Sequence, residues 1–93
     1  MSTVKAQAAP PAFSEPAPHF DDLFRPEALQ AANPHVFPSV ASLLWFERVN
    51  RAELLKAGAI VEIAGRKMFR GSAFVTKALE IGARRAAERS SLA

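Results

Sequence analysis

The side chains with the clearest chemical potential are cationic and amide groups in the second half of the chain. Six of them lie between residues 48 and 67: Arg48, Asn50, Arg51, Lys56, Arg66 and Lys67. Guanidinium and ammonium groups bind phosphate oxygens, and arginine and asparagine also pair with the edges of bases. This set therefore indicates a surface that binds a polyanion, and nucleic acid is the commonest polyanion that proteins bind.

No arrangement typical of catalysis or of metal binding accompanies these residues. The chain of 93 residues has no cysteine, and its two histidines, His19 and His35, both lie in the first half. Two histidines are too few for a metal site. The sequence also lacks a Ser, His and Asp set and a glycine-rich phosphate loop. We therefore expect a binding protein rather than an enzyme, with no cofactor and no metal.

Charge is distributed unevenly along the chain. Residues 1–38 carry two basic and four acidic side chains, a net charge of −2, and residues 39–93 carry ten basic and five acidic ones, a net charge of +5; the two values sum to the +3 of the whole chain. A compact basic domain attracts polyanions through its summed field. An ordinary charge excess on a globular domain is the simpler alternative, because +5 is modest for a nucleic-acid-binding surface.

The placement of proline and glycine divides the chain near Pro38. All seven prolines lie at or before Pro38, and all four glycines lie at or after Gly58. Proline fixes the backbone angle φ and lacks an N–H group, so we expect residues 1–38 to form a proline- and alanine-rich arm, largely irregular but with short helices. Residues 39–89 then form the folded domain, and residues 90–93 a frayed tail.

One segment of this arm has a helical apolar pattern. Phe20, Leu23 and Phe24 are spaced to lie on one side of a helical turn. Pro26 suits the first turn of a second short helix, which Asn33 would end. One interpretation is that the apolar side chains bind a partner protein and fold on contact. The alternative, which we favour, is that they pack back onto a small core that needs apolar area.

The folded domain begins with a helix that starts after Pro38. Ser39 can cap this helix, and an apolar stripe along it faces inward as far as Val49. Trp45 and Phe46 follow one another, so they cannot both share the inward stripe. We expect one of the two aromatic side chains to lie at the edge of the helix interface.

A second helix follows at once and is short. Asn50 and Glu53 have the spacing of a capping box at its start, and Gly58 is suited to end it in the left-handed region of φ. The helix is therefore only about two turns long. Its outward side carries Arg51 and Lys56, which fits the position of a recognition helix in the major groove.

A β-hairpin and a closing helix complete the domain. β-Favouring residues at 60–63 and 68–69 flank a turn in which Gly65 supplies positive φ. Arg66 and Lys67 should project from the exposed tip and make no contact that the fold requires. Ser72 can cap the closing helix. The sequence thus predicts a mainly α fold with a small β-hairpin, arranged as a winged helix-turn-helix: helix, helix, two-stranded wing, helix.

The stretch LLKAGAIVEIAGRKMFRGSAFVTKALE, residues 54–80, resembles the second half of excisionase-like and MerR-type winged-helix domains. In that pattern a recognition helix ending in a Leu-Leu/Ile-Lys-x-Gly stretch leads through a short strand to a Gly-Arg wing, a second strand and a closing helix. Two features differ from the family. Val49-Asn50 stands where the family has a tight glycine turn, and the family's Ser-x-x-Thr-aromatic segment is absent from the second helix.

The resemblance implies sequence-specific binding of double-stranded DNA, by a small transcriptional regulator or by an excisionase-like recombination factor of a mobile element. The second helix would lie in the major groove and the wing on the backbone or in the minor groove. A homodimer or a cooperative oligomer on the DNA fits this function. The residues assigned to DNA are Arg48, Asn50, Arg51, Lys56, Arg66 and Lys67.

A small protein-interaction module, acting as an adaptor or an inhibitor through the Phe20–Phe24 segment, is the alternative from a different functional class. Binding to duplex DNA with a steep salt dependence distinguishes the first hypothesis from this one.

For the location of the protein, no apolar run approaches the roughly 20 residues that span a bilayer. The start, MSTVKAQAAP, lacks the apolar region of a signal peptide. We expect a cytoplasmic protein.

Overall fold

The computed structural model describes residues 20–92, which form four helices and three short strands. The irregular course expected for residues 1–19, and the last residue of the tail, lie outside the described residues. After a 3₁₀ turn at Phe20–Asp22 the elements are β1 (Leu23–Phe24), α1 (Pro26–Ala32), α2 (Val40–Val49), α3 (Arg51–Lys56), β2 (Ile60–Ile63), β3 (Arg66–Arg70) and α4 (Gly71–Leu92). The predicted mainly α fold with a small β-structure is confirmed.

The sheet has three antiparallel strands rather than the two of the predicted hairpin. β3 lies in the centre, with β2 on one edge and β1 on the other. The pair Phe24↔Phe69 joins β1 to β3, and the pair Ile60↔Phe69 joins β2 to β3. A two-stranded hairpin is marginal by itself, and its open edge leaves backbone groups unpaired. The two residues of β1 satisfy part of that edge.

Aromatic rings form the centre of the core. Phe74 of α4 contacts the rings of Phe37, Phe46 and Phe69, with centroids 6.1, 5.9 and 5.1 Å away. The buried side chains around them come from every part of the described chain: Leu29, Phe37, Leu43, Leu54, Ala59, Phe69 and Phe74. Leu29 and Phe37 precede Pro38, so residues that the sequence analysis assigned to the arm contribute directly to the core.

The start of α2 is capped as predicted. The Oγ atom of Ser39 accepts a hydrogen bond from the backbone N–H of Ser42, at 3.1 Å, and the Oγ atom of Ser42 accepts from the N–H of Ser39, at 3.3 Å. The reciprocal bonds form a capping box and satisfy two N–H groups that have no partner within the helix. The structure therefore fixes where α2 begins.

The start of α4 differs from the prediction. The helix begins at Gly71, so Ser72 lies in its first turn and cannot be the cap. The cap comes instead from Asp22, whose carboxylate accepts from the N–H of Ser72 at 3.0 Å and from its hydroxyl at 2.7 Å. A Cβ atom at position 71 would lie 2.7 Å from the ring of Phe24, so any residue other than glycine would require that ring to shift. The segment around β1 thereby docks on the end of α4.

The hairpin turns through two residues with positive φ. Ala64 has φ +53° and Gly65 has φ +76°, and the flanking pair is Ile63↔Arg66. Two successive residues with positive φ define a type I′ turn, whose twist matches that of the flanking strands. Positive φ at Gly65 was predicted and is confirmed. Positive φ at Ala64 was not predicted, because alanine rarely adopts this conformation.

Among residues 20–92, no helix is both long enough and apolar enough to cross a membrane.

Candidate functional site

A buried carboxylate lies between α2 and the hairpin. Glu47 is only 2% exposed, and each of its carboxylate oxygens contacts a different cation. Oε1 accepts from Nζ of Lys67 at 2.7 Å, and Oε2 lies 3.0 Å from Nη2 of Arg51. Two of the six predicted contact residues, one from the helical corner and one from the wing, are thus brought together by one acidic side chain.

Local structure explains why these groups meet. Arg51 is the first residue of α3, four residues after Glu47 in α2, and only Asn50 separates the two helices. Lys67 is the second residue of β3, where strand alternation places it on the same face as the buried Phe69. The Nζ atom of Lys67 also lies 5.9 Å from the centre of the Phe69 ring. The wing therefore leans on the helices through Lys67.

Both cations keep an exposed portion. The side chain of Arg51 is 54% exposed and that of Lys67 is 36% exposed. A guanidinium group has five N–H donors and an ammonium group has three. Each cation directs one donor to Glu47. The others can reach an external acceptor such as a phosphate. The arrangement is chemically suited to anion binding.

Three further predicted residues are exposed. Arg48 follows Glu47 directly, Arg66 precedes Lys67 directly, and Lys56 ends α3. Strand alternation directs Arg66 to the side of the hairpin opposite Lys67. We use the name "basic cluster" for Arg48, Arg51, Arg66 and Lys67, the basic residues that lie at the α2–α3 corner and at the start of β3. Lys56 lies five residues beyond Arg51, at the far end of the same short helix.

Asn50 lies in the interior, not on this surface. It is 5% exposed, its Nδ2 atom donates to the carbonyl of Phe46 at 3.0 Å, and its Oδ1 atom accepts from Nη2 of Arg85 at 3.1 Å. The predicted capping box with Glu53 is wrong, because the Asn50 side chain makes no cap hydrogen bond at the start of α3. The amide joins the α2–α3 corner to α4 instead.

Glu53 has a different partner on the same helix. Its Oε2 atom accepts from Nη2 of Arg84 in α4, at 2.7 Å. The hydrogen bond from Arg84 is the main reason why the pKa of Glu53 is lowered, and the same bond raises the pKa of Arg84. Both groups are exposed to solvent, so salt screens the pair. Its structural effect is to hold α4 along one flank of α3.

The outward face of α2 carries the only tryptophan of the chain. Trp45 is 53% exposed, whereas Phe46 packs against the core. The prediction that one of these two rings lies at the edge is therefore confirmed. Arg48 and Val49, three and four residues after Trp45, share this exposed face. Through Arg48, this face adjoins the basic cluster.

The residues that the helices bury are not the ones that their apolar pattern predicts to face inward. The buried positions along α2 and α3 are Leu43, Glu47, Asn50 and Leu54. Val49, Leu55, Val75 and Leu79, which apolar character alone places inside, are exposed. Glu47 was missed because a charged residue is taken as outward-facing. Its spacing from Leu43 was the available signal, since residues four apart lie on one face of a helix.

The Phe20–Phe24 segment, which carries the alternative hypothesis, is mostly used by the fold. Leu23 and Phe24 form β1, and Phe24 packs against the core. Phe20 is 77% exposed and is the one large apolar side chain of this segment left on the surface.

Within the described residues, no group of three or more His, Asp or Glu side chains is arranged to hold a metal ion.

No protein-family model, no curated protein and no solved structure matches the chain.

Proposed function

We propose that this chain binds double-stranded DNA in a sequence-specific manner as a winged helix-turn-helix protein, with the α2–α3 corner in the major groove and the β2–β3 hairpin as a wing. The observation that carries the proposal is the contact of one buried carboxylate, Glu47, with a cation from each of these two elements. Through this contact the corner and the wing present their charges to one ligand.

The order of the elements supports this proposal. Helix α2 meets α3 with one intervening residue, a hairpin follows, and α4 packs back across α3. A pair of helices followed by a hairpin commonly places one helix in the major groove, while basic residues on the adjoining wing contact phosphates. The proposal therefore rests on the arrangement as well as on charge.

The structure of the corner changes which residues we assign to the DNA. α3 has only six residues, so the outward face of α2 must share the groove with it. We assign base or groove contacts to Arg48 and Arg51, with Trp45 beside them, and phosphate contacts to Arg66, Lys67 and the remaining donors of Arg51. Lys56 lies at the rim of this surface. Asn50 is assigned a positioning role, because both of its amide atoms are used within the fold.

Within this proposal the chain acts by binding alone, in the cytoplasm, as a small transcriptional regulator or as a recombination factor of a mobile element. Two copies on adjacent half-sites fit the small size of the surface. In the alternative of a protein-interaction module, Phe20 is the one large apolar side chain of the Phe20–Phe24 segment that is left exposed as an anchor.

Binding-site selection from random duplexes, followed by titration of a labelled duplex, tests the proposal. If Arg51 reads a guanine, Arg51→Ala should weaken binding to the selected site by about 1–3 kcal/mol and affect random duplex less. Arg89→Ala removes the same charge from the exposed end of α4 and serves as the control. Equal losses on both duplexes would assign Arg51 to phosphate only. Failure to enrich any duplex would refute sequence-specific binding.

A further inference from the structure

We infer that Glu47 is a positioning residue for DNA binding, which holds the cations of Arg51 and Lys67 side by side so that both meet one stretch of phosphate backbone. This inference rests on the proposed function and adds to it a residue that never touches the ligand. Glu47 itself is buried, and a negative charge could not contact phosphate favourably.

The first observation is that the two oxygens of the Glu47 carboxylate contact cations from two different elements. Oε1 is used by Lys67 of β3 and Oε2 by Arg51 of α3. The two cationic nitrogens are therefore separated by no more than one carboxylate and two short contacts. Without the negative charge they would repel one another at this distance. Glu47 thus makes the pairing of the two cations possible in the free protein.

The accessibility of the cations is the second observation. Glu47 is 2% exposed, while its partners are 54% and 36% exposed at their side chains. The carboxylate therefore lies behind the cations and leaves their outer donors toward solvent. An arrangement that competed with DNA would instead cover those donors. Preorganisation of this kind reduces the conformational freedom that is lost on binding.

Glu47→Gln tests the inference, with Glu88→Gln as the matched control. Both changes raise the net charge by one unit, but Glu88 lies on the exposed end of α4. Affinity for one fixed duplex is measured across a range of salt concentrations. Glu47→Gln should bind about eightfold more weakly than Glu88→Gln at 0.1 M salt and show a salt slope reduced by about 1, the effect of one lost phosphate contact.

The salt slope separates positioning from a role in folding alone. Partial unfolding lowers the apparent affinity by one factor at every salt concentration and leaves the slope unchanged, whereas a lost phosphate contact reduces it. If Glu47→Gln does not fold, Glu47→Asp provides the second variant. It retains the charge, but its side chain is one methylene shorter and cannot hold both cations at the observed distances. We expect the same reduction in slope.

Three outcomes would overturn the inference. Parent-like affinity and slope in both Glu47 variants would show that the cations need no positioning. Tighter binding by Glu47→Gln than by Glu88→Gln would show that Glu47 competes with DNA. In these two cases the parent still binds, so the proposed function stands. If the parent itself shows no salt-dependent binding of duplex DNA, the proposed function and the inference both fail.

Discussion

Removing Lys67 should destabilise the fold, although the sequence alone places this side chain on an exposed tip. Lys67→Ala leaves the Oε1 atom of Glu47 without its 2.7 Å partner, in a side chain that is 2% exposed. Arg51 still neutralises the charge through Oε2, so the full cost of an isolated buried ion does not apply. An unsatisfied buried polar atom costs about 1–3 kcal/mol.

The expected loss lies at the lower end of that range, near 1–2 kcal/mol, because Lys67 is 36% exposed and water can partly replace it. For a domain of this size, each kcal/mol lowers the melting temperature by about 4–8 °C. Thermal unfolding followed by circular dichroism measures the shift. Urea unfolding with an unchanged m-value would show that Lys67→Ala and the parent protein unfold to the same extent.

Arg66→Ala is the matched control, since it removes the same charge from the adjacent position. Arg66 is exposed and lies on the opposite face of the hairpin. Its loss should change stability by no more than about 0.5 kcal/mol. A double-mutant cycle with Glu47→Gln and Lys67→Met should give a coupling of about 0.5–3 kcal/mol. Equal melting temperatures for Lys67→Ala and Arg66→Ala would refute the structural role of the Lys67–Glu47 contact.

Three other changes test separate parts of the fold. Ala64→Asn should stabilise the chain by up to about 1 kcal/mol in thermal unfolding, because asparagine tolerates the positive φ of the type I′ turn; a loss of stability would argue against that turn. Asp22→Ala should cost about 1 kcal/mol through the lost cap on α4, and Asp22→Asn distinctly less; equal effects would exclude a capping role. Because the Arg84 hydrogen bond lowers the pKa of Glu53 in the folded state, this pair stabilises the fold above the usual carboxyl pKa of 4.5, and the stabilisation is lost as pH falls through the lowered value. Glu53→Gln should therefore flatten the fall of melting temperature on the acidic side, and an unchanged profile would contradict this assignment.

Much of the helical and hairpin structure was predictable because its signals are local. Ser39 with Ser42 caps α2, and glycine at positions 58 and 65 adopts positive φ as expected. Each of these features depends on a few neighbouring residues, so the sequence contains the information directly. The separation of Trp45 from Phe46 follows from helical periodicity in the same way.

The features that the sequence did not predict depend on contacts between residues far apart in the chain. β1 has only two residues, too few for an alternating pattern, and its partner on β3 lies more than 40 residues away. The cap of α4 comes from Asp22, 50 residues before Ser72. For the candidate site, the six contact residues were named from type and spacing, but the burial of Asn50 and the link from Lys67 to Glu47 depend on tertiary packing. Local pattern cannot show which charged residue faces inward.

The most direct test of DNA binding by the basic cluster is the salt dependence of duplex affinity for the full chain. With three phosphate contacts from this cluster, at Arg51, Arg66 and Lys67, log K should fall against log salt with a slope of about −3. The single tryptophan, Trp45, lies beside Arg48 and reports binding without a label. Arg51→Ala and Arg66→Ala should each reduce the slope by about 1, and Arg89→Ala should not. A slope near zero, or an equal reduction by all three variants, would contradict the proposed binding surface.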